Sequence, residues 1–160
     1  MQDPRSGRRG PTIRGRAWRT FLEVHRDVVQ HLAKDLRGAL DLDLLYYDVM
    51  LHVSEAEGGR RMTDLAKAAV LSKSGLTALV DRMEAEDLIE RRPDAADRRA
   101  TRIVLTASGE MRFREAAKHH RETVRAIFTS QVTDEEARVI IDVLTRVRLR
   151  IQDLESAGYS

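Results

Sequence analysis

The sequence predicts a mainly α-helical protein with one small β element, on three observations. Apolar residues recur at spacings of three and four along most of the chain, as in helices that bury one face. Two short helical patterns meet at a tight turn near residues 70–72. Directly after them, between residues 88 and 106, the pattern changes to two short runs flanking a turn-like segment at 93–96. Helix, turn, helix and a basic hairpin make a winged helix-turn-helix. The longer helical patterns on either side are expected to flank that lobe as N- and C-terminal dimerisation helices.

Residues 1–16 are rich in Arg, Gly and Pro and nearly devoid of apolar side chains, so a disordered basic tail is expected. From Ala17 a stripe of Trp18, Phe21, Leu22, His25, Val28, Val29, Leu32 and Leu36 predicts a first helix to about residue 40. Gly38 and the Asp-Leu-Asp of 41–43 break it. Residues 44–53 are apolar nearly all round, which predicts a deeply buried second helix. Gly58 and Gly59 close it, and Arg60 with Arg61 reads as a short strand completing the wing sheet.

The stretch from Met62 to Thr106 is the centre of the chain. Thr63 or Asp64 can cap a short helix carrying Leu65, Ala66 and Ala69. Val70 and Leu71 fill the turn. Ser72 can cap a second helix whose apolar positions are Leu76, Leu79, Val80 and Met83. That arrangement leaves Ser72, Lys73, Ser74, Gly75 and Thr77 on its outer, N-terminal part. Small polar side chains beside a lysine suit a helix that enters a major groove, because they reach base edges or phosphates without holding the backbone away. Leu88, Ile89, Glu90, Arg91 and Arg92 read as one strand, and Arg102, Ile103, Val104, Leu105 and Thr106 as its return. Arginines gathered on one hairpin beside a helix-turn-helix point to nucleic acid rather than to a merely solvated loop.

After the wing, Thr106 and Ser108 offer caps for a long helix with Phe113, Ala117, His120, Val124, Ile127 and Phe128 on one stripe. Ser130 and Gln131 interrupt it. Thr133 and Glu136 form a capping-box pattern that opens a last helix bearing Ile140, Ile141, Leu144, Val147, Ile151 and Leu154. The expected organisation is a lobe at 44–106 and a helical dimerisation region at 17–40 and 107–155. Three long apolar stripes leave more surface than so small a lobe can cover. A symmetric homodimer is the economical answer.

This stretch resembles the MarR family of transcriptional regulators. The residues that carry the resemblance are TDLAKAAVLSKSGLTALVDRMEAEDLIERR, the wing Asp97-Arg98-Arg99, and the strand Val104-Leu105-Thr106 closed by Ala107-Ser108-Gly109. The resemblance spans about residues 17–155. It implies a dimer on double-stranded DNA, with Arg82, Arg91, Arg92, Asp97, Arg98 and Arg99 joining the helix residues as DNA-contacting or wing-shaping groups. In the family's wing pattern the aspartate pairs with the arginine two residues on, here Arg99. Two positions depart from the pattern. Ala78 stands where many relatives carry arginine, and Asp87 stands where they usually carry glycine. The resemblance also implies a small aromatic or phenolic ligand where dimerisation helices meet the lobe. Trp18, Leu22, His25, Tyr46, Met50 and Phe113 are the residues expected to line that pocket.

The 160-residue chain is long enough for one domain with its own core, and it is 42% hydrophobic and 34% charged. Its net charge of +2 says little about partners; the distribution of charge carries that argument. No apolar run approaches a membrane span and no signal-peptide pattern opens the chain, so a cytoplasmic protein with no membrane partner is expected. The absence of cysteine excludes disulfides, cysteine zinc sites and a thiol redox switch. Glu115 and His119 stand four apart on one helix face, but nothing nearby supplies a compact third ligand, so no metal is expected. No cofactor motif, Gly-rich phosphate loop, G-x-S-x-G or H-E-x-x-H is present, and an enzyme is not expected. The competing reading is a winged-helix module that docks protein without sequence-specific DNA binding.

Overall fold

The computed structural model describes residues 12–68, 73–94, 97 and 99–158, with the backbone alone at Lys73. The tail at 1–11, Ala69, the turn residues Val70 and Leu71, and the Ser72 cap lie outside those residues. Helix α1, Ile13–Leu40, begins four residues before the expected start. The Thr12 hydroxyl accepts the Gly15 N–H at 3.1 Å and satisfies one of the unpaired first-turn donors, so residues 13–16 are helical and not tail. Gly38 stays inside the helix. The helix ends at Asp41, whose φ of 48° is left-handed and whose N–H donates to the Arg37 carbonyl. Of its 28 residues, Leu36 is the one that is buried.

Helix α2, Leu44–Ser54, is capped by Asp43, which accepts the Leu45 N–H at 2.8 Å. It buries Tyr46, Tyr47, Val49, Met50 and Val53, while Leu45 is exposed. Strand β1, Arg60–Arg61, runs directly into α3, Met62–Ala68, so Thr63 and Asp64 sit inside the first turn rather than capping it. Helix α4, Lys73–Ala85, closes on a turn in which Asp87 has φ 55° and the Leu88 N–H donates to the Met83 carbonyl at 2.9 Å. Leu88 is therefore a buried turn residue and not the first residue of the next strand.

Strands β2, Ile89–Pro93, and β3, Thr101–Leu105, pair antiparallel, and β1 joins on the other side of β3 to give the order β1-β3-β2. The register places Arg61, Arg102 and Arg92 in one cross-strand row, and Arg60, Ile103 and Arg91 in the next. Gly59, at φ 85°, lets β1 lie close to β3: a Cβ there would sit 2.2 Å from the Ile103 carbonyl oxygen.

Helix α5, Ala107–Val124, is capped by Thr106, whose hydroxyl accepts the Gly109 N–H at 2.9 Å. Ser108, the other expected cap, instead donates its hydroxyl to Asp87 at 3.0 Å. A Cβ on Gly109 would lie 1.8 Å from the Leu88 carbonyl oxygen, so α5 starts against the turn that ends α4. Further along α5, the Arg112 guanidinium donates to the Leu40 carbonyl and His119 meets Asp35 at 2.7 Å, tying this part of α5 to α1. The core of residues 12–119 gathers Leu36, Met50, Leu65, Leu76, Met83, Ile103 and Ala116, with the Phe113 ring stacked on Tyr47 at 5.8 Å.

A π-helical turn, Arg125–Thr129, follows α5. Helix α6, Asp134–Ser156, opens on the expected capping box: the Thr133 hydroxyl accepts the Glu136 N–H and the Glu136 carboxylate accepts the Thr133 N–H. No residue of α6 is buried. No helix among the described residues is long and apolar enough to cross a membrane.

Candidate nucleic-acid interface

Helix α4 divides sharply. Leu76, Leu79, Val80 and Met83 are buried, while Ser74, Thr77, Ala78 and Asp81 are exposed along one open face. Gly75 is half-buried between the two faces. Three- and four-residue spacing forces this division, because the apolar positions of a helix share a face and the rest must turn outward. The outward surface is small enough to enter a groove of about 12 Å width. Ser72, the Lys73 side chain and Arg98 lie outside the described residues.

The hairpin's arginines do not share one role. Arg91 turns back onto α4. Its guanidinium donates to Asp81 and Glu84, and its backbone N–H donates to Glu84 at 3.1 Å. Burial alone would lower the Arg91 value, but the hydrogen bond to Asp81 and the charge and hydrogen bond of Glu84 outweigh it and leave it raised. A guanidinium shared by two carboxylates joins β2 to α4. Arg92 is exposed and pairs with Glu90. Arg82 and Arg99 are exposed, and among the described residues neither has a carboxylate within ion-pair distance.

Asp97 holds the wing by a different contact from the expected one. Its carboxylate accepts the Arg99 backbone N–H at 3.0 Å and forms no ion pair with the Arg99 guanidinium. A short aspartate side chain reaches the N–H two residues on, which is the geometry of an Asx turn. The Arg99 side chain is thereby left to solvent.

Asp94 was not singled out by the sequence. It is the one buried charged side chain among the described residues, 1% exposed. Its carboxylate accepts from Arg61 at 2.9 and 3.0 Å, from Arg102 at 3.1 and 2.8 Å, and from the Asp97 N–H at 3.1 Å. The hydrogen bond to Asp94 and its charge raise the Arg61 value. After a proline, an aspartate reads as an ordinary turn residue, and no local signal announces a partner 33 positions away.

Among the described residues of one chain, the six expected pocket residues are not gathered around one cavity. Trp18, Leu22 and His25 are exposed on α1, where Trp18 stacks on Phe21 at 5.9 Å and Phe21 meets His25 at 6.3 Å. Met50 is fully buried in the core. Tyr46 is buried too, and its hydroxyl donates to Glu86 at 2.8 Å. Burial first, and then the hydrogen bond and charge of Glu86, raise the Tyr46 value. Of the six, Phe113 lines a cleft of about 830 Å³, which Val53, Gly59, Arg92, Arg102 and Leu105 also line. The aromatic and methionine side chains of α2 pack into the core.

A compact lobe with an outward-facing second helix and a three-stranded wing defines a winged helix-turn-helix protein. A sequence model of the MarR family matches residues 40–100. The crystal structure of AbsC, a MarR family transcriptional regulator from Streptomyces coelicolor, is 35% identical. It covers 91% of this chain and 99% of its own, with a TM-score of 0.83. Sco3205, a MarR family regulator from the same organism solved in complex with DNA, is 26% identical over 89% of this chain and 91% of that one, at a TM-score of 0.77. The HTH-type transcriptional regulator YdgJ of Bacillus subtilis (strain 168) is 31% identical over 94 residues, which span 59% of this chain and 57% of that protein. The chain belongs to the MarR family of transcriptional regulators.

Proposed function

We propose that the protein works as a homodimer that represses transcription by occupying a pseudo-palindromic site in duplex DNA. The observation that carries this reading is the exposed face of α4, where Ser74, Thr77 and Ala78 stand outward from a fully packed core. In this reading α4 enters the major groove, with Lys73, Ser74 and Thr77 at base edges and phosphates. Arg98 and Arg99 reach the minor groove or the backbone beside it. Ala78 offers no cation, so phosphate contacts fall more heavily on Arg82 and the wing tip. The likeness to Sco3205, solved with DNA, supports it. Dimerisation uses α1 and α6, whose exposed apolar side chains include Trp18, Leu22, Leu144 and Val147. A twofold axis then sets the two copies of α4 about one DNA turn, roughly 34 Å, apart. A dimer over a promoter blocks polymerase without further parts.

A small aromatic ligand would release the dimer only by preferring an arrangement that DNA does not accept. Trp18, Leu22 and His25 on α1, together with Phe113, are the side chains open to it. The test of the DNA reading is selection from a randomised duplex pool, followed by titration of the selected and a scrambled duplex at rising salt. Enrichment of an inverted repeat, bound more tightly than its scramble and with steep salt dependence, is expected. No enrichment, with retention of protein partners alone, would favour the protein-docking module.

A further inference from the structure

We infer that Asp94 is a positioning residue for DNA binding, which holds the wing tip where Arg99 can reach the duplex. This inference rests on the DNA-binding reading above. The register sets Arg61, Arg102 and Arg92 side by side across all three strands. Like charges directly opposite one another destabilise a sheet. The Asp94 carboxylate sits between two of them, taking two nitrogens from Arg61 on β1 and two from Arg102 on β3. Arg92 has its own carboxylate, Glu90.

The same carboxylate also reaches the loop. It accepts the Asp97 N–H at 3.1 Å, while the Asp94 N–H donates to the Ala100 carbonyl at 3.0 Å and the Ala100 N–H to the Asp97 carbonyl at 2.8 Å. Asp97 in turn accepts the Arg99 N–H. A chain of hydrogen bonds therefore runs from β1, at the entry to α3, through Asp94 to the backbone of Arg99. Arg102 adds a further link by donating to the Gly59 carbonyl. Two guanidiniums against one carboxylate leave a surplus positive charge at the base of the wing, which a phosphate backbone attracts rather than repels. A neutral amide at position 94 keeps one acceptor oxygen, turns an NH2 donor toward the guanidiniums, and leaves Arg61 and Arg102 without their countercharge.

The experiment is a double-mutant cycle on the duplex selected by the wild-type protein, with Asp94→Asn, Arg99→Ala and both together. Asp94→Asn is expected to weaken binding at least about tenfold and to lower the salt slope by about 1, as loss of one phosphate contact does. If Asp94 acts through Arg99, the double variant binds no more weakly than the weaker single. Fully additive effects, or unchanged affinity and slope in Asp94→Asn, would overturn the inference. Arg102→Lys keeps the charge but loses the fork, and it carries the same cycle if Asp94→Asn does not fold. A second readout needs no DNA. The chain has no cysteine, so a nitroxide on Ala100→Cys reports the wing alone. Its spectrum should sharpen when position 94 or 102 is changed, and an unaltered spectrum would count against the inference. A wild-type chain that enriches no duplex removes the DNA reading itself, and the positioning role with it.

Discussion

The lobe and the last helix use the same kind of apolar stripe to opposite ends. In α4, 13 residues long, Leu76, Leu79, Val80 and Met83 are at most 2% exposed. In α6, 23 residues long, Ile141, Leu144, Val147 and Ile151 are each at least 41% exposed. Periodicity alone cannot separate these cases. In the lobe the chain supplies the facing surface itself, while no residue of α6 is buried.

The largest effect belongs to the lobe. Leu76→Ala should cost about 2–5 kcal/mol of folding stability, because a fully buried leucine leaves a cavity. Urea denaturation at two protein concentrations checks it, since a loss inside the lobe does not depend on concentration. Leu144→Ala should act differently. In the proposed dimer with α6 at the shared face, each copy loses about 1–1.5 kcal/mol of apolar burial and the pair loses it twice, so dissociation should rise roughly a hundredfold. Sedimentation equilibrium measures this, and an unchanged association constant would show that α6 is not the shared face.

Arg91→Ala is next. Its carboxylates Asp81 and Glu84 are partly exposed, so about 1 kcal/mol of stability is expected to go. DNA affinity should fall only through the altered angle of β2 on α4. On α6, the N–H and hydroxyl of Thr133 hold the Glu136 carboxyl below its ordinary range. Its support for the helix start is therefore present above that range and is lost as pH falls through the lowered value. Glu136→Gln should abolish that acid-range loss of helicity, followed by circular dichroism. Smallest for folding is Arg99→Ala, expected within about 0.5 kcal/mol of the parent because its side chain is exposed. Its effect should appear in the salt dependence of DNA binding instead.

Local rules made much of this structure legible. The Thr133–Glu136 cap, the α4 stripe and the two-residue β1 all follow from residues within a few positions of one another. What escaped was non-local or compositional. Arg91 reads as one basic residue among several until Asp81 and Glu84, ten and seven residues earlier, are folded beside it. Asp94 gains its meaning from Arg61, which is distant in sequence. The start of α1 was hidden because an Arg-Gly-Pro composition outweighed a single capping threonine. For the pocket residues, a helical stripe told that Met50 and Trp18 are apolar but not that one would be wholly enclosed and the other open.

The sheet order has a further consequence for keeping the folded chain soluble. With β3 in the middle, β1 and β2 are the outer strands, whose unpaired backbone groups invite a strand from another molecule. The first is only two residues long and both are arginine. The second carries Arg91 and Arg92 and then ends in Pro93, which has no N–H to offer. An incoming strand would meet short runs, an Arg91 N–H already given to Glu84, and a missing donor at Pro93. Both outer strands are thus poor templates for edge-to-edge pairing.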